Sequence, residues 1–268
     1  MRRKSILQRR HFVASMLAAA SAVPGMAKRR RAGEGAREYY ELRRYQLEQG
    51  AQSKLTNHYL SEALVPALNR LQIKPVGVFN LYLGVHLPAI YVLIPYPSAE
   101  AFVSLEQHLA HDDAYLHAGE PFLKATSKAP AFQRMESEFM AAFQGTRLTL
   151  PPPTAHHGQR VFQLRTYESP SHEAHLRKVE MFHSGEFDVF HRAGFWPVFY
   201  GDKLIGPRLP NLTYMISCPR LSELNAKWKA FFTDPEWKKL TKDPRFNYDQ
   251  IVTNINSTIL TPAKYSQI

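Results

Sequence analysis

The segment Glu41-Leu42-Arg43-Arg44-Tyr45 returns in the second half of the chain as Gln163-Leu164-Arg165-Thr166-Tyr167, 122 residues later. The same spacing separates Asp112-Asp113-Ala114-Tyr115 from Asp234-Pro235-Glu236-Trp237, while Ile90-Tyr91-Val92 aligns with Thr213-Tyr214-Met215 one residue off it. A shared spacing across separated segments indicates a tandem duplication. The 268 residues are enough for two units, each with its own core. The sequence therefore predicts two similar domains that face each other.

Each unit has the periodicity of a strand, a helix, two strands, a helix and a last strand. The predicted strands are 39–47, 76–83, 89–94 and 133–143, then 161–167, 195–200, 212–217 and 251–260. In the first unit the predicted helices are 53–71 and 99–117. Pro66 should kink the first of these or delay its start, and Ser98 should cap the second. In the second unit one helix is predicted over 171–192, and two more begin at Ser222 and Asp234. This βαββαβ order is ferredoxin-like, with helices on one face of an antiparallel sheet. We expect two tandem ferredoxin-like domains of the α+β class that pack sheet to sheet as a pseudo-dimeric α+β barrel within one chain.

Residues 1–27 have the features of an export signal. Arg9-Arg10-His11-Phe12-Val13 resembles the twin-arginine motif, a short Ala-rich apolar stretch follows, and Gly25-Met26-Ala27 fits a signal peptidase site. The apolar stretch is too short to remain as an anchor, so we expect a periplasmic protein without a transmembrane anchor after signal removal. A mitochondrial presequence and a disordered basic tail are the alternatives, because the segment is Arg-rich and has no acidic residue before Glu34.

The formal net charge of +11 is concentrated at the N-terminus. Residues 1–31 hold nine Lys and Arg residues and no acid, so the rest of the chain carries a net charge of about +2. Nucleic-acid binding depends on clustered basic residues, so we expect none. The predicted division is a signal peptide (1–27), a basic linker (28–37), a first domain (38–144), a Pro-rich linker (145–159) and a second domain (160–268).

Two segments of the second unit resemble the NIPSNAP family, within the dimeric α+β barrel group. They are the opening strand Phe162-Gln163-Leu164-Arg165-Thr166-Tyr167 and the run Phe232-Thr233-Asp234-Pro235-Glu236-Trp237. The first unit keeps Glu41-Leu42-Arg43-Arg44-Tyr45 but has Asp112-Asp113-Ala114-Tyr115 in place of Asp-Pro-Glu-Trp. The resemblance covers residues 38–144 and 160–262. It implies a binding, scaffold or vesicle- and mitochondria-associated role, and the wider group includes cofactor-free monooxygenases and haem-handling enzymes.

Alternation along the first strand of each unit supplies the candidate site. We expect Leu42 and Leu164 to pack on helices, which leaves the neighbouring Arg and Tyr side chains facing the barrel interior. The candidate ligand-binding residues of that interior are Arg43, Tyr45, Tyr91, Arg165, Tyr167 and Tyr214. A buried guanidinium needs an anion or many hydrogen bonds. These residues either bind an acidic or carbonyl-bearing ligand or have a structural role. In the structural alternative the two arginines pair with protein carboxylates, or with each other's strand ends, and hold the sheets together.

The histidines are not spaced as metal ligands, since His172-Glu173-Ala174-His175 differs from the His-Glu-x-x-His zinc motif. We expect no metal and no cofactor; a haem bound by His58 or His183 is the alternative, without a Cys-x-x-Cys-His attachment site. The sequence favours an exported protein that binds a small, mainly apolar ligand or a protein partner and has no defined catalysis. The alternatives are a cofactor-free or haem-dependent oxygenase or isomerase, and a structural protein that forms homo-oligomers.

Overall fold

The computed structural model describes residues 37–152 and 160–268, and the predicted leader lies outside these ranges and stays a prediction. Within the described residues the strands are β1 Tyr39–Gln46, β2 Gly77–Leu83, β3 Ala89–Tyr96, β4 Arg134–Ala142, β5 Val161–Glu168, β6 Trp196–Ile205, β7 Asn211–Cys218 and β8 Asn254–Pro262. They form one closed barrel in the order β1-β3-β2-β8-β5-β7-β6-β4.

Each repeat supplies four neighbouring strands of the barrel. The two four-stranded sheets join at both edges, where β2 pairs with β8 and β4 pairs with β6, all antiparallel. Because each sheet covers the edges of the other, this barrel has no unpaired edge strand. The expectation of two ferredoxin-like repeats closed into an α+β barrel is confirmed.

The helices pack on the outside of the barrel. They are α1 Ala51–His58, α2 Val65–Arg70, α3 Ala99–Leu109, α4 Asp113–Leu123, α5 His172–Met181, α6 Phe187–Arg192, α7 Leu224–Thr233, α8 Pro235–Leu240 and α9 Tyr248–Ile251. A π-helical turn links α1 to α2, at Tyr59–Leu64, and α5 to α6, at Phe182–Glu186. The kink expected near Pro66 takes the form of that π turn, and Pro66 itself lies in the first turn of α2, where a missing N–H costs little.

One predicted helix is two helices in the structure. The segment 99–117 is interrupted after Leu109, and a second helix begins at Asp113. The carboxylate of Asp112 accepts a hydrogen bond from the backbone N–H of Tyr115 at 3.0 Å, which satisfies a free donor of the new helix. Ser98 caps the first helix as expected, through a bond from the N–H of Ala101.

The chain has two kinds of core, and they correct the predicted orientation of β1 and β5. Tyr45 and Tyr167 pack between their sheets and the helices. Leu42 and Leu164 instead point into the barrel, together with Tyr40 and other apolar side chains. The prediction was inverted because alternation sorts residues into two faces without saying which face the helices cover, and both faces of these strands are buried.

The register also corrects the alignment of the third strands. Arg44 pairs with Tyr91, and the equivalent pair of the second repeat is Thr166 with Thr213. The spacing of 122 residues therefore holds here too, and Tyr91 corresponds to Thr213 rather than to Tyr214. A slip of one residue moves a side chain to the other face of a sheet, so Tyr214 and Tyr91 lie on opposite faces.

The C-terminus fills one end of the barrel interior. Ile268 is 1% exposed and packs within the interior cluster, with Leu148 partly buried against it. A Cβ on Gly77 would approach the Cδ1 atom of Ile268 to 2.9 Å, so this contact depends on a residue without a side chain. Space for a ligand is thus left toward the other end.

Candidate functional site

A cavity of about 370 Å³ lies in the barrel interior, at the end where the β2–β3 and β6–β7 hairpins turn. Leu42 and Leu164, equivalent residues of the two repeats, form its apolar part. Polar side chains from the ends of five strands form the walls: Arg44, Tyr91, Glu136, Glu138, Thr166, Asn256 and Thr258. Residues of both hairpin loops lie at the mouth: Val85, His86, Pro207 and Arg208. The cavity is therefore built by both repeats.

The cations around the cavity each have a carboxylate partner. The pairs are Arg44 Nη2 to Glu136 Oε2 at 2.8 Å, Lys203 Nζ to Glu138 Oε2 at 2.6 Å, and Arg208 Nη1 to Glu168 Oε1 at 3.5 Å. Burial lowers the pKa of Lys203, with Glu138 opposing that change. Because the charges balance, an ionic ligand would have to displace a protein partner, whereas a neutral ligand would not.

The two repeats give the cavity unequal walls. On the first repeat, Arg44 and Tyr91 are cross-strand neighbours. On the second, the hydroxyls of Thr166 and Thr213 lie 2.9 Å apart and bond to each other. Burial raises the pKa of Tyr91, and Arg44 only partly offsets this, so the phenol stays protonated at neutral pH. One wall can therefore donate hydrogen bonds from a phenol and a guanidinium, and the other presents the smaller side chain of Thr166.

His86 and Arg208 occupy equivalent positions in the hairpin loops and share an uncommon backbone conformation. Their φ angles are 65° and 60°, in the left-handed region that side-chain-bearing residues rarely adopt. Such strain is often found at functional sites. Its occurrence in both repeats, at the mouth of the cavity, indicates that the loop geometry is a property of the repeat.

Tyr91 is the one predicted site residue that lines the cavity. Arg43, Tyr45, Arg165, Tyr167 and Tyr214 were predicted in the interior, and the structure places them on the helix-covered face of the sheets. Sequence reasoning missed Arg44, Thr166, Glu136 and Glu138. The signal for Arg44 and Thr166 was available, since they alternate with Leu42 and Leu164 along the same strands. Glu136 and Glu138 lie on β4 and face the cavity because they pair with Arg44 and Leu42 across the sheet, which only the register shows.

The predicted arginines are held by protein groups instead. In the first repeat Arg43 pairs with Glu41 of its own strand, and the hydroxyl of Tyr96 donates to Glu41 at 2.7 Å. This fits the structural alternative for Arg43, although the partner is not on the other sheet. In the second repeat Arg165 Nε donates to the Tyr167 hydroxyl at 3.3 Å, and its guanidinium lies 4.6 Å from the Trp228 ring centroid.

A fully buried ion pair lies beside this second network. Lys178 Nζ is 2.6 Å from Glu186 Oε2, and the two side chains are 0% and 1% exposed. The ammonium lies 4.6 to 5.8 Å from the ring centroids of four aromatic residues: Tyr167, Phe182, Trp237 and Tyr248. At the equivalent positions of the first repeat are Thr56 and Leu64, both 0% exposed.

The residues at the cavity do not fit a haem bound by a buried histidine. His58 and His183, the proposed ligands, are exposed on the outer helical layer. His86, at the mouth, lies in an exposed loop. In the part of the chain that the structure describes, no group of three or more His, Cys, Asp or Glu residues could hold a metal ion. No helix among the described residues is long and apolar enough to cross a bilayer.

Fold and site together define a dimeric α+β barrel made by one chain, with a cavity shared by the two repeats. The sequence model of the NIPSNAP family matches residues 40–145 and again residues 162–267. The chain therefore belongs to the NIPSNAP family, and both matches coincide with the repeats of the structure.

Solved structures with the same fold have little sequence in common with this chain. A proposed monooxygenase from Lactobacillus acidophilus is 9% identical, with a TM-score of 0.56 over 84% of this chain and 94% of its own. A proposed monooxygenase from Fusobacterium nucleatum is 8% identical, with a TM-score of 0.56 over 85% and 94%. A NIPSNAP-like domain protein from Burkholderia xenovorans is 18% identical, with a TM-score of 0.37 over 42% and 92%. No curated protein matches the chain. The two structures with TM-scores of 0.56 share the fold of this chain, and a shared fold does not establish a shared chemistry.

Proposed function

We propose that the protein binds a small neutral molecule, with an apolar body and one polar end, in the barrel cavity. The observation that carries the proposal is the cavity itself, about 370 Å³ in volume, with leucines on one side and convergent polar groups on the other. Ligand sites are concave, and the polar groups placed within them fix the orientation of the ligand. The volume is at the lower end for such sites, which favours a small ligand.

The polar groups suggest how the ligand is oriented. Arg44 has more N–H donors than its contact with Glu136 uses, and the protonated phenol of Tyr91 is its cross-strand neighbour. A carbonyl or ether oxygen near this pair would accept hydrogen bonds without disturbing the balanced charges. The apolar body would then contact Leu42 and Leu164.

Binding is favoured over the alternative, an oxygenase that uses the same cavity. The two structures that share the fold and are described as proposed monooxygenases are only 8 and 9% identical to this chain, which is too little to carry over an activity. Proton abstraction in the cavity would need an available base. The carboxylates of Glu136 and Glu138 are each paired with a cation, Arg44 and Lys203. Burial raises the pKa of Tyr91, which keeps its phenol protonated. We therefore propose binding without turnover, in a protein that the leader prediction places outside the cytosol.

A cavity-filling substitution tests the proposal. The probe is a naphthalene ketone whose fluorescence shifts to the blue in an apolar site. Thr258→Phe fills the cavity from β8, and Ile255→Phe adds the same ring on the same strand but on the opposite face. We expect Thr258→Phe to weaken probe binding at least about tenfold, equivalent to about 1.4 kcal/mol, and Ile255→Phe to leave it within about twofold. Equal affinity of both variants, or no binding by the unaltered protein, would contradict the proposal.

A further inference from the structure

The end of the barrel that carries the cavity mouth also carries exposed apolar side chains on both hairpins. On the β2–β3 hairpin, Tyr82, Leu83, Val85 and Leu87 are 51 to 74% exposed. On the β6–β7 hairpin, Leu204, Ile205 and Leu209 are 46 to 62% exposed. We call the two hairpin segments, residues 82–87 and 204–209, the apolar rim. Single exposed apolar residues are ordinary, but a contiguous group marks an interaction surface.

The rim has the same character in both repeats although its sequence differs. Tyr82 corresponds to Leu204, Leu83 to Ile205 and Leu87 to Leu209, at the spacing of 122 residues. Each of these side chains is exposed in its own repeat. Two hairpins that differ in sequence therefore present the same apolar surface on the two sides of one cavity.

The one ionised side chain within the rim segments, Arg208, is basic. Residues 82–87 and 204–209 contain no Asp or Glu, and they include His86 and Arg208, with Arg134 exposed at the adjoining start of β4. Two carboxylates lie near this end. Glu168 pairs with Arg208, and of these two side chains the arginine is the more exposed, at 48% against 18%. Glu48 is exposed and accepts a hydrogen bond from Gln133. The outward surface is thus apolar with basic groups among and beside the apolar side chains.

We infer that the apolar rim docks on the surface of an anionic lipid bilayer. Apolar tips flanked by basic residues bind such surfaces because the tips enter the acyl boundary while the cations contact the headgroups. Tyr82 has the amphipathic ring that favours this interface. A second copy docked rim to rim would bring two sets of these basic groups together, and the rim segments supply no carboxylate to pair them across the interface.

Docking in this orientation would place the cavity mouth against the membrane. Val85, His86 and Arg208 contribute to both the rim and the cavity lining. An apolar molecule could then pass between the bilayer and the cavity without crossing bulk water. The inference goes beyond the proposed function and holds whatever the cavity binds.

Sedimentation of the full chain with lipid vesicles tests the inference. Vesicles of phosphatidylcholine are compared with vesicles that also contain phosphatidylglycerol. The rim variant is Leu87→Asp with Leu209→Asp, at equivalent positions outside the cavity lining. The control is Val103→Asp with Leu176→Asp, at sites 78% and 66% exposed on α3 and α5. Both variants change the net charge equally and keep the basic residues 1–31, so any binding by those residues is the same in both.

We expect the unaltered protein to bind the anionic vesicles more tightly than the neutral ones. The rim variant should bind them at least about tenfold more weakly, and the control within about twofold of the unaltered protein. A second measurement places the contact: a tryptophan introduced by Leu83→Trp should be quenched by brominated lipid.

Three results would overturn the inference. They are an equal loss in both double variants, an added tryptophan that brominated lipid does not quench, and a dimer in light scattering that the rim substitutions dissociate. The last result would identify a second copy of the chain as the occupant of the rim.

Discussion

Lys178→Met is expected to destabilise the protein by about 3–5 kcal/mol at neutral pH, because it leaves Glu186 as a buried carboxylate without its partner. The two groups are 2.6 Å apart, and their side chains are 0% and 1% exposed, so little water can replace the lost ammonium. Methionine keeps much of the length and the apolar stem of lysine, which keeps the packing contribution small. The loss therefore measures the unpaired charge.

The first repeat indicates how to restore stability. It has Thr56 and Leu64 at the positions of Lys178 and Glu186, and both are fully buried. The same helix–sheet interface thus packs without an ion pair. Lys178→Met combined with Glu186→Leu removes both charges and should be at least about 2 kcal/mol more stable than Lys178→Met alone, since isolated buried charges cost more than apolar replacements of a pair.

The pH dependence has a defined sign. Burial raises the pKa of Glu186 above its usual value of 4.5, and Lys178 opposes that change. A carboxyl with a raised folded-state pKa contributes stability below its unfolded pKa, and this contribution is lost as the pH rises through the folded value. Removing Lys178 raises the pKa of Glu186 further. The deficit of Lys178→Met should therefore be smallest near pH 4 and largest at pH 7.

The free energy of unfolding is measured by urea unfolding followed by circular dichroism, at both pH values. The cycle has four proteins: the unaltered chain, the two single variants and the double variant. The reasoning is refuted if Lys178→Met costs less than about 1 kcal/mol at pH 7, or if the double variant shows the sum of the single losses. A deficit that does not change with pH would refute the assignment of the loss to the Glu186 charge.

Two further predictions concern single side chains. Asp234 caps α8 through the N–H of Glu236 at 2.9 Å and pairs with Arg192 at 2.8 Å, which together lower its pKa from 3.8 to about 2. Asp234→Ala should lower the free energy of unfolding in urea by about 0.5–2 kcal/mol at pH 7. A carboxylate with a lowered folded-state pKa stabilises the protein above its unfolded pKa, so this loss should vanish as the pH falls through about 2. A loss that stays constant with pH would count against the assignment. Cys218 is buried, and burial raises the pKa of its thiol to about 11. An aromatic disulfide reagent should therefore react slowly with the folded protein at pH 8 and rapidly with the protein unfolded in urea. Similar rates in the two states would exclude a protected thiol.

The repeated segments were sufficient to predict the fold. Two βαββαβ units with one common spacing leave two helix-free faces, and burying both faces against each other requires a closed barrel. The N-cap at Asp234 was predicted correctly for the same local reason, since an Asp-Pro pair favours a helix start whatever surrounds it. These features depend on residues close together in the chain.

The site depended on contacts between residues far apart in the chain. Arg44, Tyr91, Thr166 and Asn256 belong to four strands from both repeats, and only the barrel register brings them to one cavity. Alternation correctly separated Leu42 and Arg44 from Arg43 and Tyr45 into two sets, but a buried arginine is equally acceptable on either face when it is paired.

The sequence by itself determined that this chain is a doubled α+β barrel, because periodicity and spacing are carried by neighbouring residues and survive without tertiary contacts. Only the tertiary structure decided which strand face became the interior, which side chains meet at its mouth, and that apolar hairpins surround it. The physical reason is that both faces of these strands are buried, so hydrophobicity alone does not distinguish the helix side from the barrel side.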